Sequence, residues 1–249
     1  MNATTSDRGG VLGAVEAFFR KFRMIGFTAI LAPIILLYIF CIGASLTPGI
    51  ALFSWVDSST KDVAPLLRHF LFGITFATGF ALYGMTLLFV VPLVNKLLPL
   101  KVKPHRTTWY SLSVVPWYYH NALTYLVRYT FLEFVTPTPL NILFYRMMGM
   151  KIGKGVMINT TAISDPCLIE LGDYVTIGGS ATLVAHYGMK GFLIIDRLVI
   201  EDKATIGLRA SVFGDVVIGK GALVKAHEVV MPKTRIPPKD SDSKDKDAA

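Results

Sequence analysis

The sequence predicts a mixed chain: two membrane-crossing helices, a stretch of interfacial helices, and a C-terminal parallel β-helix. Three observations carry this. Two long apolar runs, residues 24–46 and 69–95, contain no Lys, Arg, Asp or Glu. From Ile152 to Ile236 aliphatic residues recur every six positions. Lys and Arg crowd the outer flanks of the apolar runs and thin out between them.

The six-residue beat falls on Ile152 and Ile158, then on Leu171, Ile177 and Leu183. After one interruption it resumes at Ile194, Ile200, Ile206, Val212, Ile218, Val224, Val230 and Ile236. Small residues follow four places later at Val156, Ala162, Val175, Ala181, Ala204, Ala210, Val216 and Ala222. An amphipathic helix needs a period near 3.6 and a plain strand needs 2, so neither fits. One short strand plus one turn does fit, with the aliphatic and the small residue both pointing inward. Three such units make a triangular coil of about eighteen residues, and stacked coils share one continuous core.

The chain has 249 residues, 17% of them charged, and a mean hydropathy of +0.52. Such concentration of apolar sequence is that of a membrane protein. Its net charge of +8 lies mostly beside the apolar runs, where membrane orientation accounts for it, so no nucleic-acid partner is expected. Cys41 and Cys167 are far apart in sequence and lack partners at zinc-ligand spacing, which excludes a disulfide framework or zinc module.

Taken in order, residues 1–10 are small and polar. Residues 1–23 form a cytoplasmic N-terminal segment in which Val11, Leu12, Val15, Phe18, Phe19 and Phe22 share one side of a helix, suited to a bilayer surface. Residues 24–95 hold the two crossings. Met24–Leu46 is long enough for a hydrocarbon core of about 30 Å, and Pro48-Gly49 is expected to end it. Gly73, Gly79 and Gly84 in the second run suit close helix contact. Arg8, Arg20, Lys21 and Arg23 precede the first crossing, and Lys96, Lys101, Lys103 and Arg106 follow the second. The loop expected over residues 47–67 carries only Lys61 between Asp57 and Asp62. Both ends are therefore expected in the cytoplasm, on an inner (cytoplasmic) membrane.

Residues 96–150 comprise interfacial aromatic helices and a cap. Trp109–Val135 mixes Trp and Tyr with His120, Asn121, Arg128 and Glu133, a headgroup-level composition. A third crossing there is the alternative. Leu140–Met150 reads as a short helix closing the open end of the prism, which would otherwise expose core and strand edges. Residues 151–238 are the β-helix, and the Lys/Asp-rich residues 239–249 a solvated tail.

Chemistry belongs where the repeat breaks. The gap of eleven between Leu183 and Ile194 predicts five extruded residues beside His186. Aligning Leu183, Ile206 and Val224 on one face predicts a column of His186, Arg209 and His227 at one corner. An imidazole with an ordinary pKa near 6.5 is mostly neutral at pH 7 and can act as a general base. Asp165, Glu170, Asp173, Asp196 or a backbone carbonyl can orient it. His186 and His227 would stand about two coils apart, too far to share an ion, so no metal is expected.

The run Ile177-Gly-Gly-Ser-Ala-Thr-Leu183-Val-Ala-His186, with Val199-Ile200-Glu-Asp-Lys-Ala-Thr-Ile206-Gly, resembles the active-site region of the hexapeptide-repeat (left-handed β-helix) acyltransferases. The resemblance covers Ile152–Ile236, about a third of the chain. It implies a left-handed β-helix, a homotrimer, and acyl-CoA, foremost acetyl-CoA, held between adjacent β-helices. His186 takes the base position, and Gly207, Ala210 and Ala222 would line the cofactor groove. Arg209 would contact an anion of cofactor or substrate, and the loop 187–193, with Tyr187 and Lys190, would close over the acceptor.

Leu100-Lys101-Val-Lys103, Thr138-Pro139-Leu140 and Phe144-Tyr145-Arg146-Met-Met-Gly149-Met-Lys151-Ile152-Gly153 are similar to the terminal membrane region of poly-lysine-type nonribosomal peptide synthetases and their stand-alone relatives. The usual Trp-x-Gly-x-Pro-Ala-like ending is absent, which leaves the acyl-CoA contacts near the carboxyl end unassigned. The expected activity is acyl transfer to a hydroxyl or amine of a lipid-linked or envelope acceptor at the membrane. A non-catalytic membrane-anchored scaffold, or an amide-forming module using a carrier protein in trans, are the alternatives.

Overall fold

The computed structural model describes residues 9–109 and 111–239. The expectations for residues 1–8 and 240–249, Arg8 and most of the Lys/Asp tail included, fall outside the described residues. Long N-terminal helices are followed by many short parallel strands in three stacked sheets, consistent with a left-handed β-helix.

Helix α1 (Gly10–Lys21) breaks at Phe22, and α2 (Arg23–Ser59) and α3 (Pro65–Leu97) form an antiparallel hairpin. Both are long and apolar enough to cross a membrane, by length and composition. The first run does not stop at Pro48-Gly49: α2 continues through both residues to Ser59. The connecting loop shrinks accordingly to residues 60–64, and Arg68 Nη2 ties the two helix ends together through Asp57 Oδ1 at 2.6 Å. Gly49 permits the close packing here, since a Cβ on it would lie 3.1 Å from Gly79 Cα. Gly84 gives way to another element, because a Cβ there would fall inside the Phe131 ring. Gly73 meets nothing and has no such role.

Helix α4 (Val115–Thr130) has 16 residues and Pro116 in its first turn, where a missing N–H costs nothing. It packs against other elements on both sides. One side takes a hydrogen bond from α2, Tyr38 Oη to Ala122 O at 2.8 Å. The other side reaches the β-helix, where Tyr125 Oη meets Ser164 Oγ at 2.7 Å. Helix α5 (Pro139–Met147) lies across the first coil: Asn141 Nδ2 donates to Ile158 O at 2.8 Å, and Phe144 and Tyr145 are buried beneath it.

The prism's first sheet contains Lys151–Ile152, Ile169–Leu171, Leu198–Ile200, Val216–Ile218 and Arg235–Ile236. The second contains Met157–Ile158, Thr176–Ile177, Thr205–Ile206 and Leu223–Val224. The third contains Ile163–Ser164, Thr182–Val184, Ser211–Val212 and Val229–Val230. All pairings are parallel and in register, so the interior is three aliphatic columns. They are Ile152/Leu171/Ile200/Ile218/Ile236, Ile158/Ile177/Ile206/Val224 and Ile163/Leu183/Val212/Val230. Each fully buried aliphatic side chain contributes about 1.5–3 kcal/mol, and no single coil can bury its own face.

This register corrects the expected alignment. Leu183 stacks on Val212 and Val230, whereas Ile206 stacks on Ile177 and Val224. The corner that carries Arg209 and His227 therefore continues at Ser180, all three with left-handed φ of 54–61°. His186 is not in that column. The cause is the length of the insertion: Leu183 to Ile200 is seventeen residues where six is regular, so eleven are inserted rather than five. Ile194, counted as a beat, lies within the insertion.

The insertion is not a loop. His186–Met189 and Phe192–Ile195 form an antiparallel hairpin around Lys190-Gly191, whose positive φ values (51° and 80°) suit a two-residue turn. His105–Thr108, from the segment after α3, pairs antiparallel with Phe192–Ile195 and straps the hairpin down.

Candidate active site

His186 stands where the prism wall turns into the hairpin. Its Nδ1 lies 2.6 Å from Asp165 Oδ2, so among the four acids considered the structure selects Asp165. The pairing follows from register. Ile163 and Ser164 stack on Leu183 and Val184, which brings Asp165 beside Ala185 and His186 in the next coil. Asp165 adopts a left-handed φ of 57°, a conformation its short polar side chain tolerates, and Pro166 then starts a 3-10 turn.

Asp165 is fully buried, yet all its bonding capacity is directed. Oδ1 accepts from Asn121 Nδ2 at 2.6 Å, and Oδ2 accepts from Ala185 N at 3.1 Å as well as from the imidazole. Its own N–H donates to Asn121 Oδ1 at 3.0 Å. A carboxylate so surrounded stays buried without an unmet charge. Because it accepts at Nδ1, the imidazole keeps its proton there and Nε2 is left with a lone pair. The His186 side chain is 20% exposed, so the ring is not sealed in the core as Asp165 is. Trp117, from α4, packs edge-on against the ring with centroids 4.9 Å apart.

Two more titratable groups lie behind this dyad. His120 is buried, its pKa lowered to about 4 by desolvation, with the charge of Asp165 opposing. Its Nδ1 pairs with Asn95 Oδ1 at 3.0 Å. Burial and then the charge of Asp165 push the Cys167 thiol up to about 12, which leaves it inert at neutral pH.

The other expected site residues are scattered. Tyr187 is buried in the hairpin strand, so it does not close over a substrate. Lys190 is exposed at the hairpin tip. Ala210 and Ala222 are buried, their methyl groups filling the prism interior, so they do not line a groove. Gly207 is pressed against the next coil, where a Cβ would lie 2.5 Å from Ala226 N. Arg209 is exposed, but at the second corner. Among the described residues no cluster of His, Cys, Asp and Glu is arranged to hold a metal. Asn121 and Trp117 were not singled out from sequence. Their only signal was polar and aromatic residues mixed at 109–135.

No family model matches the chain, and no curated protein matches it. Solved structures do. Serine acetyltransferase from Neisseria gonorrhoeae is 17% identical over 76% of this chain and 85% of its own, with a TM-score of 0.32. Soybean serine acetyltransferase is 19% identical over 80% of this chain and 93% of its own, with a TM-score of 0.32. A hexapeptide-repeat acetyltransferase from Vibrio cholerae is 16% identical over 48% of this chain and 82% of its own, with a TM-score of 0.36.

Proposed function

We propose that this chain is a membrane-bound acyltransferase that moves an acyl group, foremost acetyl, from acyl-CoA to a hydroxyl or amine of a membrane-borne acceptor. The observation that carries this reading is the 2.6 Å contact of His186 Nδ1 with buried Asp165, set beside the one insertion in the prism. Nε2 takes the acceptor's proton as its oxygen or nitrogen attacks the thioester carbonyl. The tetrahedral intermediate collapses with cleavage of the C–S bond, and the imidazolium returns the proton to the departing thiolate. Asp165 holds the ring and stabilises its charged form, as the acid of a catalytic triad does.

The membrane part of the reading rests on exposure. Val15, Phe18 and Phe22 of the N-terminal segment, and Ile35, Leu36, Ile39 and Phe40 of α2, face outward. In a bilayer these surfaces are covered, and α4 then holds the dyad close to the headgroups. Both ends lie on the cytoplasmic side, where acyl-CoA is available. An apolar cavity of about 330 Å³ between Phe19, Met24, Phe27, Ile30, Trp109 and Tyr118 is suited to the stem of a lipid acceptor. A homotrimer, with the donor between adjacent prisms, completes the proposal. Arg209, exposed beside Ser180 and His227, is then the residue of choice for a donor phosphate.

Detergent-solubilised full-length protein, incubated with labelled acetyl-CoA and total membrane lipids, tests this. Label is expected to pass to a lipid-extractable product and to stop doing so in His186→Ala. Equal transfer by the variant would defeat the assignment.

A further inference from the structure

Among the described residues the His186 ring has a single hydrogen bond, from Nδ1 to Asp165 Oδ2 at 2.6 Å. A ring tied at one point can still swing about that bond. A general base has to stay within hydrogen-bond reach of the proton it takes, so a second contact is needed to fix the swing. Trp117 supplies it, with ring centroids 4.9 Å apart and ring planes at 79°.

Trp117 is itself held firmly. It is buried in the first turn of α4, and its indole packs against Trp109 (6.2 Å, 76°) and Tyr118 (5.0 Å, 66°). Its carbonyl accepts from Asn121 Nδ2 at 3.1 Å. Trp117 and Asn121 are four residues apart and share one face of the helix, where one meets the base and the other grips the acid. The aromatic wall also follows the hairpin strand. His186 and Gly188, two residues apart, share a face of that strand, and a Cβ on Gly188 would lie 3.6 Å from Trp109 Cζ2. Trp109 therefore covers Gly188 as Trp117 covers His186. An aromatic neighbour fixes the angle between two rings, which an aliphatic side chain of similar bulk does not.

We propose that Trp117 is a positioning residue for acyl transfer: its edge-to-face contact holds the His186 ring at the angle that turns Nε2 towards the acceptor. Helix α4 then sets both members of the dyad, the acid through Asn121 and the base through Trp117. The role rests on the acyl-transfer reading above, whereas the hold on the ring is measurable without turnover.

The test uses the full chain in detergent, as parent, Trp117→Leu and Trp117→Phe. The first readout is carbethoxylation by diethyl pyrocarbonate, followed at each histidine by mass spectrometry. Exposed His227 gives the reference rate, and buried His120 reports general loosening. In Trp117→Leu the His186 rate relative to His227 is expected to rise about fivefold with His120 still protected, while Trp117→Phe stays within about twofold of the parent. The second readout is steady-state kinetics. A misplacement of about 1 Å can cost about 10²-fold, so kcat of Trp117→Leu should fall about 10–100-fold at unchanged KM for acetyl-CoA. Trp117→Phe should recover most of that loss. An unchanged His186 rate in Trp117→Leu, or a His120 rate that rises in step with it, would overturn the proposal, as would a leucine variant with parental kcat. Absence of transfer by the parent would sink the acyl-transfer reading instead, and the carbethoxylation rates would still decide whether Trp117 holds the ring.

Discussion

The side-chain amide of Asn121 grips Asp165 from two directions, donating to its carboxylate at 2.6 Å and accepting from its backbone N–H at 3.0 Å. Asn121 belongs to the helical part and Asp165 to the prism, so the docking of α4 fixes the acid that orients His186. The two parts are coupled in this sense: separating them would take from the Asp165 carboxylate one of its three donors.

Asn121→Leu should therefore act through Asp165. A lost hydrogen bond to a charged group costs about 1.5–3 kcal/mol. If that loss is felt in the transition state, kcat falls roughly 10–100-fold while KM for acyl-CoA holds. Steady-state kinetics beside a thermal melt checks this. A lowered melting point with normal kcat in the folded fraction would leave Asn121 a purely structural role.

Asp165→Asn tests the tautomer. A carboxamide can donate to Nδ1, which reverses the ring and puts the proton on Nε2, where the base is needed. A fall in kcat of about 10³–10⁴-fold is expected, as when the acid of a triad is replaced by its amide. The amide is isosteric, so the fold should survive, although the nitrogen that then faces Nδ1 takes the place of Oδ2 and no longer accepts from Ala185 N. Near-parental turnover in this variant would remove Asp165 from the scheme.

His120 supplies a pH dependence of stability. Its folded pKa of about 4 lies below the ordinary 6.5, because burial disfavours the imidazolium. Between these values the unfolded chain binds the extra proton, so stability is fully present above about pH 6.5 and is lost as pH falls towards 4. The loss is about 3 kcal/mol at the bottom of the window. Melts in detergent from pH 7 to 4.5 should show it, and His120→Asn should flatten the slope. An unchanged slope in the variant would place the acid sensitivity elsewhere.

Gly84 offers a steric test of the joint between α3 and the 131–135 turn. A Cβ there has no room beside the Phe131 ring, so Gly84→Ala should destabilise by about 1–3 kcal/mol despite alanine's better helix propensity. Phe131→Leu in the same chain should return part of it. Melting temperatures of the two single variants and the double variant decide, with simple additivity counting against contact.

The repeat was legible because burial is periodic: Ile158, Ile177, Ile206 and Val224 are all apolar for one reason, a shared column. Capping by α5 was legible for the same reason, since an open prism end must be covered. The insertion was not, because an antiparallel hairpin alternates with period 2 and its Ile194 fell on the six-residue beat by coincidence. Once Ile194 was counted, every later residue was assigned to the wrong sheet, and Arg209 was carried to the corner of His186. The dyad was half legible: His186 stood at the break, but Asp165 was one acid among four. Its selection depends on one side of the first coil, the step from Ile158 to Ile163, being five residues rather than six, with no clear marker in composition. Asn121 was hidden because a buried amide in an aromatic helix looks, in sequence, like a residue at a wet interface.

The same coincidence can be tested directly. Ile200 is fully buried in the first column, paired with Leu171 and Ile218, whereas Ile194 is half-buried on the hairpin, opposite Arg106 and Tyr187. If the insertion is eleven residues long, Ile200→Ala opens a cavity in a continuous core and should cost about 2–5 kcal/mol. Ile194→Ala removes a partly solvated side chain from an antiparallel strand and should cost under about 1 kcal/mol. A five-residue insertion would put both in equivalent core positions with equal penalties. Paired melts of the two variants distinguish these. Similar large losses at both positions would restore the six-residue count through Ile194, and with it the column of His186, Arg209 and His227.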